Sequence, residues 1–159
     1  MEDKADNRYD GREHSYIKHL FLAEYLRAAS FKTLQGRSVI FNYVDGFAGP
    51  WKVADEADYS DSSFDLSIRT LQKVKEALEA KGQPAVVRFC LCERQRASVQ
   101  KLRDYAGRQV GVDIHVFEGA FEDRLADIAA VCRGGFTFTF IDPTGFNLRS
   151  LEIAAFLAQ

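Results

Sequence analysis

The chain has 159 residues, 47% of them hydrophobic and 13% aromatic, with 21 Lys and Arg against 23 Asp and Glu for a net charge of −2. That content excludes a disordered chain and suits one domain with its own core, since a domain takes roughly 100–200 residues; the near-neutral balance excludes a protein that coats nucleic acid or anionic membrane non-specifically. No apolar run approaches the roughly 20 residues of a membrane-spanning helix, the acidic start (Glu2, Asp3, Asp6) is no signal peptide, and three cysteines in apolar sequence point to a reducing, cytoplasmic setting without disulfides.

Residues 1–12 read as a loose polar arm. From Glu13 apolar residues recur at helical spacing (Ile17, Leu20, Phe21, Tyr25, Ala28, Phe31), with Gly36 placed as a C-cap. The β-branched and aromatic run 39–44 predicts a strand, and its continuous hydrophobicity suits a central parallel position. Segment 51–61, with Asp55, Glu56, Asp58 and Asp61, reads as a loop or lid that would repel nucleic acid. Ser62 or Ser63 caps a helix striped by Phe64, Ile68, Leu71, Val74 or Lys75, and Leu78. Then follow a strand over 85–92, a helix over 94–105, a strand over 112–117, a helix over 121–132, a strand over 136–141, and a helix that Ser150 caps.

Four buried strands alternating with helices predict a mostly parallel sheet with helices on both faces, an α/β Rossmann-like fold. The final helix keeps an apolar face (Ile153, Phe156, Leu157) with no strand after it. The chain therefore reads as the N-terminal portion of a larger doubly wound domain, truncated at its C-terminus.

Ligands of such sheets bind at the carboxyl ends of the strands, and an acid stands at or beside the end of all four here: Asp45, Glu93, Glu118 and Asp142. No Gly-x-x-x-x-Gly-Lys-Ser/Thr loop is present. The first loop offers only Gly46-x-x-Gly49 behind an acid whose charge repels a pyrophosphate. S-adenosylmethionine carries an ammonium and a sulfonium and no phosphate, so it suits these carboxylates. Asp45, Gly46, Phe47, Ala48 and Gly49 are placed for its methionine end, Glu93 for both ribose hydroxyls, and Gly119, Ala120 and Phe121 for the adenine edge. Asp142 and Pro143 face the acceptor, Asp142 as the group that orients or deprotonates an amine or hydroxyl or else as a loop cap. Phe146 either stacks on the acceptor or packs on the last helix. Lys18 and His19 line the cleft if the first helix folds over the sheet edge; otherwise they are a solvated lysine and a partly buried histidine. Cys90 and Cys92 share a strand face and Cys132 lies far along a helix, a pattern of buried small side chains rather than a metal site. Arg94, Arg96, Lys101 and Arg103 form a basic helix surface, either a phosphate contact or a solvated face.

Lys18-His19-x-x-Leu22-x-x-Tyr25-Leu26, Val44-Asp45-Gly46-Phe47-Ala48-Gly49-Pro50, Glu93, and Phe140-Ile141-Asp142-Pro143-x-Gly145 together resemble the three-Cys-motif partner family. That family is similar to Rossmann-like S-adenosylmethionine-dependent methyltransferases and is named for co-occurrence with a three-cysteine-motif protein. The resemblance covers about residues 16–159, and it implies a transferase with a three-cysteine-motif protein as partner; the cysteines of this chain are not the three of that name. A more distant similarity is to ribosomal RNA adenine methyltransferases, which place Lys-His before a D-x-x-A-G-x-G loop. Trp51 stands where such loops end in glycine, and Asp142-Pro143-Thr144-Gly145-Phe146 lacks the second proline of the Asp-Pro-Pro-aromatic motif that holds a target base amine. A nucleic-acid base amine is thus one candidate acceptor among others. The alternative is a catalytically inactive methyltransferase-like scaffold that binds the three-cysteine partner. A nicotinamide oxidoreductase is a weaker third reading, for want of the glycine pattern.

Overall fold

The computed structural model of the chain describes residues 13–36, 38–49, 53, 57–143 and 149–158. The arm 1–12, Pro50, Trp51, Asp55, Glu56, Thr144, Gly145 and Phe146 lie outside the described residues. Helices and strands alternate as α1 (Glu13–Gly36), β1 (Ile40–Asp45), α2 (Ser63–Glu79), β2 (Val86–Glu93), α3 (Arg96–Arg108), β3 (Asp113–Glu118), α4 (Phe121–Cys132), β4 (Phe136–Phe140) and α5 (Ser150–Leu157). The four strands form one sheet in the order β3-β2-β1-β4, every pair parallel. The protein is therefore an α/β protein with an all-parallel sheet, compatible with a Rossmann-like fold.

The sheet builds outward from β1 to β2 to β3, and the chain then returns to the other side of β1 to lay down β4. The reversal at β1 and β4 is the topological switch point, outside which α/β sheets hold their ligands. Strand periodicity sorts the core. Phe41, Tyr43, Phe89 and Leu91 face α1, α2 and α3 through Leu26, Ile68, Leu71, Leu78 and Leu102. Val44, Cys90 and Cys92 face α4 and α5 through Phe121, Ile128, Ile153 and Phe156. Each fully buried Leu or Phe contributes about 1.5–3 kcal/mol.

Three expectations change. Among the described residues only β1 and β2 are buried strands; β3 and β4 flank the sheet and are half-exposed, and Phe136 at the start of β4 stays 43% exposed. Val74, not Lys75, completes the buried stripe of α2. Arg149 rather than Ser150 occupies the N-cap of α5. The first turn of α4 takes over the capping task there: Arg149 donates its backbone N–H to Glu122 and its guanidinium to Asp123.

Candidate functional site at the switch point

β1 ends at Asp45, whose side chain is 1% exposed. Its Oδ1 accepts the Phe47 backbone N–H at 3.0 Å and its Oδ2 accepts the Ser63 hydroxyl at 3.0 Å. The carboxylate thus ties the loop after β1 to the first turn of α2. The two serines at that turn divide the work, since Ser62 caps the helix by accepting the Asp65 N–H. Burial pushes the Asp45 carboxyl from the usual 3.8 up to about 6, against the pull of the Phe47 and Ser63 hydrogen bonds and with the nearby Asp142 charge adding to the rise.

The loop itself is tied down from within. The Gly46 N–H donates to the Phe140 carbonyl at 3.1 Å and the Ala48 N–H to the Cys92 carbonyl at 2.9 Å, so the turn bridges the ends of β4 and β2. With the Phe47 N–H on Asp45, three successive amides are consumed. A phosphate cradle needs such amides free and pointing outward, so this loop is not built for one. Gly46 is required by packing: a Cβ there would meet the Phe121 ring at 3.0 Å. Phe121 is buried and packs on Phe47 and Phe156, so its ring belongs to the α4–α5 core while its backbone opens α4. Gly49 is half-buried at the end of the turn.

Glu93 at the end of β2 is 4% exposed and accepts the Gln95 N–H through Oε1. Its carbonyl accepts the Gly119 N–H at 2.9 Å, which ties the ends of β2 and β3 together. Gly119 leaves β3 at φ +137, in the region that favours glycine, and a Cβ there would meet Arg124 Nε at 3.0 Å. Arg124 donates to the Glu118 carbonyl at 2.8 Å and so supports this turn, a role with no signal in the sequence beyond a basic residue on a helix. Ala120 is half-buried at the N-cap of α4.

Beyond β4, Asp142 is exposed and Pro143 half-buried. Lys18 of α1 reaches Asp142 with Nζ at 2.9 and 3.0 Å from its two carboxylate oxygens. Tyr25, two turns further along α1, packs its ring on Phe138 at 5.4 Å. The first helix therefore lies along β4 and delivers Lys18 to the sheet edge, whereas His19 beside it is half-buried. Asp45, Glu93, Gly119 and Asp142, with Lys18, are brought to the carboxyl edge of the sheet. Glu118 is turned to Arg103 at 3.3 Å on the far flank. A cavity of about 450 Å³ lies elsewhere, between α4, α5 and the outer side of β4, and shares no residue with this edge. Among the described residues no helix is long and apolar enough to cross a membrane. Comparison with models of protein families, with curated proteins and with solved structures finds no match to this chain.

Proposed function

We propose that the protein is an S-adenosylmethionine-dependent methyltransferase of the three-Cys-motif partner type, cytoplasmic, with a heteroatom acceptor for which a nucleic-acid base amine is one candidate. The observation that supports this reading is the meeting of Asp45, Glu93 and Asp142 at the switch point, beside a loop whose amides at 46, 47 and 48 are all turned inward. Carboxylates without free amides suit a ligand that carries positive charge and hydroxyls and no phosphate.

The residues fit such a cofactor in distinct ways. Glu93 is suited to accept ribose hydroxyls, the backbone of 46–49 to pass close to the methionine portion, and the turn at Gly119 and Ala120 to border the adenine. Asp45 has both oxygens bound by its own chain, so it does not hydrogen-bond the ligand: it fixes the loop that the ligand would touch and sets a negative charge beneath the ligand's cationic end. When bound, S-adenosylmethionine supplies an electrophilic methyl group. Asp142, on a stretch that Pro143 stiffens, orients the acceptor and takes its proton, and Lys18 holds that carboxylate in place. Most of the catalysis is then positioning of two reactants. Thermal unfolding with S-adenosylmethionine, S-adenosylhomocysteine and NADH tests the reading. A rise in Tm with the first two and none with NADH is expected; a rise with NADH alone contradicts it.

A second reading is favoured by one observation. Ile17, Leu20, Phe21 and Tyr25 leave an apolar stripe on α1, with Phe21 72% exposed, and contiguous exposed apolar surface marks docking sites. This suits a scaffold that holds a three-cysteine-motif protein. Co-purification with that partner that is equal in wild type and Asp142→Ala, and lost in Phe21→Ser, supports the scaffold.

A further inference from the structure

Cys132 lies far from Cys90 in sequence, yet the fold brings their sulfurs to 3.9 Å inside the core between β2 and α4. The approach is held on both sides. Asn42 of β1 donates to the Cys132 carbonyl at 2.7 Å, and Arg88 of β2 donates to the carbonyls of Val131 and Arg133 at 3.2 and 3.3 Å. The last turn of α4 is thereby pinned to the sheet with Cys132 facing Cys90. Cys90 is sealed, but Cys132 also borders the cavity of about 450 Å³. Arg133, Gly134 and Leu157 on its walls are exposed, so small solutes reach Cys132 from solvent.

We propose that Cys90 and Cys132 form a reversible dithiol–disulfide site, with Cys132 the entry point for a small two-electron oxidant of the peroxide class. The two thiols are not equivalent. Cys132 is held below the ordinary thiol value by the hydrogen bond from Cys90, by Thr137 and by the Arg88 charge. Cys90 is raised by that same contact and by burial. Cys132, which borders the cavity, is therefore the attacking thiol, and Cys90, sealed behind it, the resolving one. The Cys132 thiolate attacks hydrogen peroxide, breaking the O–O bond to give a sulfenic acid and hydroxide. Cys90 then attacks that sulfur, an S–S bond forms, and water leaves with the Cys90 proton. The net change is two thiols and one peroxide to one disulfide and two waters, and a reducing thiol reverses it. Closing the bond draws the sulfurs together by about 2 Å, and it staples α4, whose first residue packs on Gly46, to the centre of the sheet. Cys92 is buried with its thiol pushed up to about 12 and its Sγ turned to the Gly119 carbonyl, so it stays outside the reaction.

The test treats the full chain with hydrogen peroxide, alkylates remaining thiols in denaturant with N-ethylmaleimide, and reads intact mass and peptides. The expected product has lost two hydrogen masses, takes up one alkyl group at Cys92, and yields a peptide linking Cys90 to Cys132. Cys92→Ala gives the same link, while Cys90→Ser leaves a sulfenic acid at Cys132 that dimedone traps. Three alkylated thiols in the folded chain, at a peroxide dose that oxidises the urea-unfolded chain, overturn the proposal. So does a link that involves Cys92. Failure of S-adenosylmethionine binding has no bearing on either result.

Discussion

Replacing Asp45 with asparagine separates what the fold wants at the end of β1 from what a site would want there. The carboxylate sits 1% exposed and is held at about 6 instead of 3.8. A folded-state value above the unfolded one means that the folded protein binds the proton more tightly. Its contribution is most favourable below pH 4, is lost as pH rises from about 4 through about 6, and stays lost above that. The difference amounts to about 3 kcal/mol of stability given up at neutral pH. Asparagine removes the charge, keeps an oxygen for the Phe47 N–H and turns an amide toward the Ser63 hydroxyl. Urea unfolding followed by circular dichroism at several pH values between 4 and 7.5 measures the difference between the two proteins, in which the other titrating groups cancel. Asp45→Asn is expected to gain on wild type by about 3 kcal/mol across that range, with most of the gain between pH 4 and 6. A difference that is flat in pH, or one that moves in favour of wild type as pH rises, refutes the assignment of a buried, costly carboxylate. A group retained at such a cost is the pattern of a position kept for function rather than for stability.

Other perturbations read separate parts of the structure. Gly46→Ala drives a methyl into the Phe121 ring at 3.0 Å and is expected to cost about 1–3 kcal/mol in urea unfolding, with Phe121→Leu in the same chain recovering part of the loss. Tyr105→Phe removes a 2.8 Å hydrogen bond to Asp65 within the core and should lower stability by about 1–2 kcal/mol by the same measurement. Lys18→Ala breaks an ion pair whose side chains are 59% and 46% exposed; the expected stability change is below about 1 kcal/mol, and a larger loss would mean that the pair anchors α1 to the sheet.

The order of elements was legible because each signal was local. The apolar stripe from Phe64 to Leu78, the run from 85 to 92 and the stretch 121–132 each declare their type within one segment, and the structure ends α4 at the residues expected. What was not legible depends on neighbours across the sheet. The run Phe136 to Ile141 is as apolar as a central strand, yet among the described residues β4 flanks the sheet, because strand order is decided by how crossovers pack and not by any one strand. The same holds at the candidate site. Asp45, Glu93 and Asp142 follow from strand ends alone. That Ser63 holds Asp45, that Arg124 supports Gly119, and that Lys18 reaches Asp142 across 124 residues of sequence are facts of packing. Cys132 beside Cys90 is a further case, since α4 must first be laid on β2.

Calorimetric titration of S-adenosylmethionine, with S-adenosylhomocysteine alongside, into wild type, Asp45→Asn and Glu93→Ala is the most direct measurement of the methyltransferase reading. Binding by wild type, weakened in Glu93→Ala and lost in an Asp45→Asn protein that unfolding shows to be at least as stable as wild type, is the expected result. Affinity unchanged by both substitutions, or no binding by a folded wild type, contradicts it.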